Sequence, residues 1–189
     1  MLIIGITGTL GSGKGTIVKY LVRQKGSIHF SVREFLLKEI KKRNLPQNRD
    51  SMVMVANEIR KQNSPSYITD RLYEQSLKQN KNAIIESIRT PGEAESLRTK
   101  GEFYLFAVDA DPKIRYERIK LRNSETDQID FDTFIANEKR EMTATDPNKQ
   151  NLKKCREMAD FVFLNDGSRD DLFQEVEKVI NEIIGSQNE

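Results

Sequence analysis

Short apolar segments alternate along the chain with longer amphipathic ones. Five apolar runs, each bounded by polar or turn residues, have the length typical of buried parallel strands. These predicted strands are Leu2 to Ile6, Ile28 to Phe30, Ala83 to Ile85, Tyr104 to Val108 and Phe161 to Leu164. Between them, apolar residues recur at helical spacing. The predicted helices are Lys14 to Gln24, Arg33 to Lys42, Asp50 to Gln62, Tyr67 to Gln79, Pro112 to Arg122, Phe131 to Met142 and Asp170 to Ile184.

This alternation predicts a three-layer α/β fold with a five-stranded parallel sheet flanked by helices. In such folds, ligands bind at the carboxyl ends of the strands. The length of 189 residues predicts one domain, with a core formed by residues 1–30, 81–122 and 152–185. We expect the helical insertion 31–80 to bind an acceptor and the polar segment 123–151, which contains Asp127, to form a short lid.

Nine consecutive residues that follow the first predicted strand have the composition of a phosphate-binding loop. They are Gly8, Thr9, Leu10, Gly11, Ser12, Gly13, Lys14, Gly15 and Thr16. Glycines allow successive backbone amides to surround a phosphate, and the helix that follows adds its positive N-terminus. Lys14 adds a charge on the outer phosphates. The segment therefore predicts an enzyme that binds nucleotide phosphates, with a ligand-free glycine-rich turn as the alternative interpretation.

The predicted magnesium site departs from the usual loop pattern. Gly15 stands where that pattern has a serine or threonine, and the first hydroxyl follows at Thr16. We expect Mg²⁺ to be held mostly through water, with Thr16 as the candidate hydroxyl and Glu86 as a candidate carboxylate for either the metal or the attacking hydroxyl. Glu86 ends the third predicted strand, and Arg89 follows three residues later. Both are predicted to face the loop, although a simple surface ion pair is the alternative.

Two further groups of arginines are candidates for binding phosphate groups. They are Arg115, Arg118 and Arg122 after the fourth strand, and Arg33, Arg49 and Arg60 in the insertion. Spacings of three and four place the first group on one helix face. We expect the first group, which lies just before the predicted lid, to supply cations around the phosphates, and one or two of the insertion arginines to bind an acceptor phosphate. A solvated charged surface is the alternative for each group.

Composition and charge exclude several classes of protein and of site. The net charge is only +2, from 31 basic and 29 acidic residues, which argues against a general nucleic-acid binder. The first apolar run is too short for a signal peptide and no run could span a bilayer, so we expect a cytoplasmic protein without membrane contact. Cys155, the single cysteine, excludes a disulfide within the chain and is expected to be buried. His29, the single histidine, lies in a predicted strand and is expected to be structural.

A turn after the fifth strand, Asn165 to Ser168, has two possible roles. Ser168 could cap the final helix, or the turn's backbone could border a nucleotide base.

In these residues the chain resembles the nucleoside monophosphate kinases of the P-loop superfamily, such as adenylate kinase. The Gly-Lys-Gly-Thr ending of the loop and the segment Glu86 to Thr90 are similar to motifs of that family. The resemblance implies that Arg89 contacts the acceptor phosphate and Glu86 the magnesium shell. It also implies that Arg118 and Arg122 act on the donor base and phosphates, while the backbone of Asn165 and Gly167 contacts the donor adenine.

The chain differs from that family at positions that are expected to bind the acceptor. Leu37 falls where the first acceptor helix usually carries an arginine, for which Arg33 is the candidate substitute. Glu93 stands where adenylate kinases use a glutamine to bind adenine. Because an ionised carboxylate only accepts hydrogen bonds, Glu93 is expected to favour guanine or cytosine. The short lid and the strand end at Asp109 also resemble dephospho-coenzyme A kinase.

The sequence therefore predicts an ATP- and Mg²⁺-dependent kinase for a ribo- or deoxyribonucleoside monophosphate, with oligomeric state left open. Three alternatives remain. The first is a dephospho-coenzyme A kinase-like enzyme, the second is a nucleotide-binding ATPase or switch without a small acceptor, and the third is an inactive module of a larger assembly.

Overall fold

The five strands form one parallel sheet, as predicted. The structure is a computed structural model that describes residues 1–122 and 128–185. The strands are β1 (Ile3–Gly8), β2 (Ile28–Ser31), β3 (Ala83–Ile88), β4 (Phe103–Asp109) and β5 (Phe161–Leu164). Their order across the sheet is β2-β3-β1-β4-β5. Central β1 pairs in parallel with both neighbours, so that Ile3 faces Ala83 on one side and Phe103 on the other.

Nine helices connect and flank the strands in the described part of the chain. They are α1 (Lys14–Lys25), α2 (Val32–Lys42), α3 (Arg49–Gln62), α4 (Tyr67–Leu77), α5 (Pro91–Arg98), α6 (Pro112–Arg122), α7 (Phe131–Met142), α8 (Leu152–Glu157) and α9 (Arg169–Gly185). Seven of them were predicted within two residues at each end. The sequence analysis missed α5 and α8, which are the two shortest.

Helix α5 begins at a capping box that the sequence does contain. The Thr90 side chain accepts a hydrogen bond from the Glu93 amide, while the Glu93 side chain accepts one from the Thr90 amide. Pro91 occupies the first helical turn, where its missing amide hydrogen costs nothing. The pattern Thr-Pro-Gly-Glu is therefore a helix start, and a capping box was the signal that could have predicted α5.

Helices cover both faces of the sheet, which makes three layers. On one face, Ile17 and Leu21 of α1 pack in the same core as Val176 and Ile180 of α9. The other face is covered by α2, α3, α4, α5 and α8, whose apolar residues form a second core with β3 and β4. Because both faces are covered, β1 is an almost continuous apolar run rather than an alternating one.

Cys155 of α8 is fully buried in the second core, as predicted. Burial raises the pKa of its thiol to about 12, which makes it a packing residue rather than a nucleophile.

The fold places the candidate residues at one edge of the sheet. The phosphate-binding loop follows β1 and Arg89 follows β3, and parallel strands end at the same edge. The insertion 31–80 contains α2, α3 and α4, and the segment expected to be a lid contains α7. Residues 123–127 of that segment, including Asp127, lie outside the described residues. Within the described ranges, no helix is long and apolar enough to cross a membrane.

Candidate functional site

A cleft of about 620 Å³ opens at this edge and brings together most of the predicted site residues. Those that line it are Leu10, Gly11, Gly13, Lys14, Gly15, Thr16, Arg33, Arg49, Arg60, Glu86, Arg89, Arg118, Arg122, Asn165 and Gly167. Gly8, Thr9 and Ser12 complete the loop, with Thr9 and Ser12 buried. Clefts of this size are typical of small-molecule ligands.

The loop needs glycine where other groups approach its backbone. Gly13 has φ 108°, and a Cβ atom there would lie 2.1 Å from Asn165 Nδ2. The Asn165 amide donates a hydrogen bond of 2.8 Å to the Ser12 carbonyl. Gly11 has φ 80°, and its Cβ would lie 2.5 Å from the Arg115 carbonyl oxygen. The turn after β5 and the start of α6 therefore hold the loop in shape.

Lys14 lies against its own loop. Its Nζ donates hydrogen bonds to the carbonyl oxygens of Gly8 (3.0 Å) and Thr9 (2.8 Å). Burial, together with the nearby charge of Arg89, lowers the pKa of Lys14 to about 8. A negatively charged ligand in the cleft would favour the charged ammonium, because it would offset both effects.

The end of β3 is distorted at the cleft. The register with β1 shifts so that Ile6 faces Glu86 but Thr7 faces Ile88, which makes Ser87 an extra residue. Ser87 has φ 75°, a strained conformation for a residue with a side chain, and its hydroxyl donates to Glu86 Oε1. Because this β-bulge interrupts the alternation of side chains, both Glu86 and Ser87 line the cleft.

Glu86 is an acidic group whose charge acts on Lys14 in the loop. Burial alone would raise its pKa, but the His29 imidazole and the Lys14 ammonium outweigh that effect and lower the pKa to about 2. His29 Nε2 lies 3.8 Å from Glu86 Oε2, and His29 lines the same cleft. His29, which was expected to be structural, therefore lies beside the candidate site residue Glu86.

The donor set fits a magnesium ion. Thr16 in the first turn of α1 and Glu86 both line the cleft and offer a hydroxyl and an ionised carboxylate. Mg²⁺ prefers such oxygen ligands and keeps several waters when proteins supply only one or two. Thr16 and Glu86 are the residues that would hold it.

In the same cleft, one carboxylate joins two of the predicted arginines. Glu141 of α7 accepts hydrogen bonds from Arg49 Nη2 (2.6 Å) and Arg89 Nη1 (2.7 Å). Gln150 accepts a further bond from Arg89 Nη1 (2.9 Å). The sequence analysis missed Glu141, because nothing in a polar helix distinguishes one glutamate that reaches a distant cleft.

Glu93 requires a correction. It was expected to bind an acceptor base, but it is fully buried and both carboxylate oxygens are engaged. Oε1 accepts from Arg60 Nε and Nη2, while Oε2 accepts from the amides of Arg89 and Thr90. Arg60, expected to bind the acceptor, lies in the cleft wall but is only 1% exposed. Two of its nitrogens donate hydrogen bonds to Glu93. This buried pair holds the backbone that follows β3 in place and does not face a ligand.

Arg115 differs in burial from the other two arginines of α6. It is 2% exposed, donates to the Ala110 carbonyl at 2.7 Å and pairs with Glu138 of α7. Arg118 and Arg122 of the same helix line the cleft. One face of α6 therefore separates into a buried arginine under the loop and two arginines at the cleft.

Ser168 caps α9. Its amide donates to the Asp171 carboxylate, and its hydroxyl accepts from the Asp171 amide. Asn165 and Gly167 lie on the cleft wall, where the turn was expected to border the donor base.

Several buried polar atoms around the cleft have no hydrogen-bond partner among the described residues. Among them are Ser12 Oγ, His29 Nε2 and Arg118 Nη1. Buried donors are normally satisfied. Their grouping at one place is consistent with a polar ligand that completes the site.

A family model described as an AAA domain matches residues 4–146, which is most of the chain. The chain belongs to the AAA domain family. Among curated relatives, it is 28% identical to a UPF0200 protein of Methanococcus maripaludis, with 97% of this chain and 98% of that protein covered. It is 26% identical to a UPF0200 protein of Pyrococcus horikoshii, with 98% and 99% covered.

Solved structures in this fold include kinases. TT1252 from Thermus thermophilus matches with a TM-score of 0.62 and 20% identity, covering 96% of this chain and 97% of that one. Shikimate kinase from Bacteroides thetaiotaomicron matches with a TM-score of 0.54 and 16% identity, covering 97% and 98%. The predicted P-loop kinase-like fold is thus confirmed for this member of the AAA domain family, without singling out adenylate kinase or dephospho-coenzyme A kinase.

Proposed function

We propose that this protein is an ATP- and Mg²⁺-dependent kinase that transfers the γ-phosphoryl group to a nucleoside monophosphate. The observation that carries the proposal is the meeting of a phosphate-binding loop and two arginines from other elements in one cleft. Arg49 begins α3 in the insertion and Arg89 follows β3, and both line the cleft that contains Lys14. A donor site and a second anion site side by side are what phosphoryl transfer to an anionic acceptor requires.

Each residue has a role in this proposal. Loop amides and Lys14 hold the donor phosphates, while Thr16 and Glu86 hold Mg²⁺, which neutralises phosphate charge when bound. Arg49 and Arg89 bind the acceptor phosphate, with Arg33 at the rim of the same cleft. Arg118 and Arg122 stabilise charge on the transferring group. An acceptor phosphate oxygen forms the new bond to the γ-phosphorus as the bond to the ADP oxygen breaks.

An anionic acceptor fits the chemistry of the cleft. A phosphate oxygen is already ionised at neutral pH and needs no base to become a nucleophile. Glu86, whose pKa is about 2, is ionised at neutral pH and can bind a cation, but it is a weak proton acceptor. Residues other than Glu93 select the nucleobase of the acceptor, because Glu93 is buried away from the cleft.

A hydroxyl acceptor, such as dephospho-coenzyme A, is the second candidate. The observation that favours it is His29, which lines the cleft 3.8 Å from Glu86 and offers a group able to accept the hydroxyl proton. The names of the solved neighbours include shikimate kinase and a sugar kinase, which describe those proteins. An ATPase or switch without a small acceptor is the third candidate, supported by the family description alone.

The test is ADP formation from ATP and Mg²⁺ with each ribo- and deoxyribonucleoside monophosphate and with dephospho-coenzyme A. Lys14→Ala removes a preorganised cation, so we expect a rate loss of about 100-fold or more. Lys25→Ala is the matched control, because Lys25 lies on the same helix but pairs with Glu177 away from the loop. We expect that variant to retain full activity.

Stimulation by one monophosphate that Lys14→Ala abolishes would support the proposal and identify the acceptor. Stimulation by dephospho-coenzyme A alone would favour the hydroxyl acceptor. ATP turnover that no acceptor increases would favour the ATPase or switch. A Lys14→Ala rate within about tenfold of the parent would contradict the assignment of the donor site.

A further inference from the structure

The Glu141 carboxylate is bound as a ligand would be bound. Its two oxygens accept separate hydrogen bonds from Arg49 Nη2 at 2.6 Å and Arg89 Nη1 at 2.7 Å. The Glu141 side chain is 8% exposed, yet the residue lines the cleft. Two guanidinium groups on two oxygens of one anion is also the arrangement in which arginines bind a phosphate.

The three groups come from separate parts of the chain. Arg49 begins α3, Arg89 follows β3 and Glu141 lies in the last turn of α7. Glu141 is thus an anion at the cleft that connects the insertion 31–80 to the end of β3 through side chains alone. The connection passes through one side chain of the segment expected to be a lid, so it can be exchanged without breaking the sheet.

Glu141 is ionised in this position. Burial favours the neutral acid, but the charges of Arg89 and Arg49 and the hydrogen bonds that they donate outweigh it and lower the pKa of Glu141. The cluster therefore contains two positive charges and one negative charge. A phosphate dianion that entered beside an ionised Glu141 would meet like charge at close range, whereas one that replaced it would meet two cations.

We propose that the Glu141 carboxylate holds the place of the acceptor's phosphate group, and that an acceptor binds by exchanging with it. This inference rests on the proposed function, because it names how the acceptor side of that cleft is occupied. Glu141 keeps Arg49 and Arg89 ordered in the empty cleft and competes with weakly charged anions. A dianionic phosphate is favoured over them because it offers more charge to the same two arginines.

Exchange also connects the acceptor to the lid. Glu141 shares α7 with Glu138, which pairs with Arg115 beneath the phosphate-binding loop. Displacement of Glu141 would release the end of α7 from the acceptor arginines while its Glu138 contact persists.

The experiment measures binding without turnover. The donor site is first saturated with Mg²⁺ and a non-hydrolysable ATP analogue, and inorganic phosphate or AMP is then titrated at constant ionic strength. Glu141→Gln removes the competing charge, and we expect it to bind both probes about tenfold more tightly, within the range typical of coupled sites. Asp132→Asn is the matched control because it removes an exposed charge from the same helix, and it should bind within about twofold of the parent.

A second variant covers the case in which Glu141→Gln fails to fold. Glu141→Asp keeps the charge but is one methylene shorter, so it contacts the two arginines less well and should also bind the probes more tightly. Equal or weaker binding by the folded variants, or no detectable binding by any of them, would overturn the inference and leave Glu141 as a positioning residue. Tighter binding without any kinase activity would support the exchange while the proposed function failed.

Discussion

Two arginine–glutamate clusters lie at the end of β3, and they differ in access. Arg60 and Glu93 are 1% and 0% exposed, and their ion pair is sealed in the body of the fold. Arg49, Arg89 and Glu141 are 16%, 18% and 8% exposed and line the cleft. The same chemistry is therefore present twice within one region of the molecule.

The difference lies in what each carboxylate is attached to. Glu93 also completes the capping box of α5 and accepts the Arg89 amide, so its removal would disturb several elements. Glu141 engages Arg49 and Arg89 from a helix outside the sheet core. A carboxylate bound into backbone structure serves stability, whereas one that reaches across a cleft to two arginines can be replaced by a ligand.

The largest effect is expected on stability, when the buried Arg60–Glu93 pair is broken. Glu93→Ala leaves the Arg60 charge buried without its partner, so we expect the free energy of unfolding to fall by about 3–5 kcal/mol. Urea unfolding measures it. Glu157→Ala, at an exposed carboxylate paired with Lys154, is the control and should change stability by less than about 0.5 kcal/mol.

A double replacement sharpens the same test. Arg60→Met with Glu93→Leu removes both charges, and we expect it to recover much of the lost stability because no buried charge is left unpaired. A Glu93→Ala protein as stable as the parent would show that the pair is not sealed as described.

A smaller effect is expected at the open cluster, and it concerns activity. Arg89→Ala should lower kcat/KM for the acceptor about 100-fold, equivalent to about 2.7 kcal/mol, because an arginine proposed to bind the acceptor phosphate is lost. Steady-state kinetics with saturating ATP measures the effect. Arg71→Ala, at an exposed arginine paired with Glu74, should leave the kinetics unchanged. If Arg89→Ala retained full activity, the acceptor site would have to lie elsewhere.

The smallest effect is the acid dependence of the open cluster. The pKa of Glu141 is lowered from its ordinary value of 4.5, so the unfolded chain takes up this proton first as the pH falls. The stability that Glu141 contributes is complete above about pH 4.5 and is lost as the pH falls through its folded pKa.

Glu141→Gln lacks this contribution. Below pH 4.5 we therefore expect the stability of the parent to decline more steeply than that of the variant. Urea unfolding at several acid pH values measures the difference. Parallel curves for the two proteins would contradict the ionised state of Glu141.

Local signals account for what the sequence predicted well. The phosphate-binding loop is nine consecutive residues in which glycines, a lysine and a helix start act together. Short apolar runs also predicted every strand of the sheet. The capping box at Thr90 was equally local, but it was interpreted through a family resemblance, and for that reason Glu93 was assigned to a ligand rather than to the start of α5.

The sequence by itself determined the α/β class, the parallel sheet and the glycine-rich loop, because each depends on neighbouring residues or on regular spacing. Only the tertiary structure decided which charges meet. Glu93 pairs with Arg60 from 33 positions away, and Glu141 reaches Arg49 across 92 positions. Surface and buried charges have the same local pattern, so their burial and partners depend on how separate helices pack against one edge of the sheet.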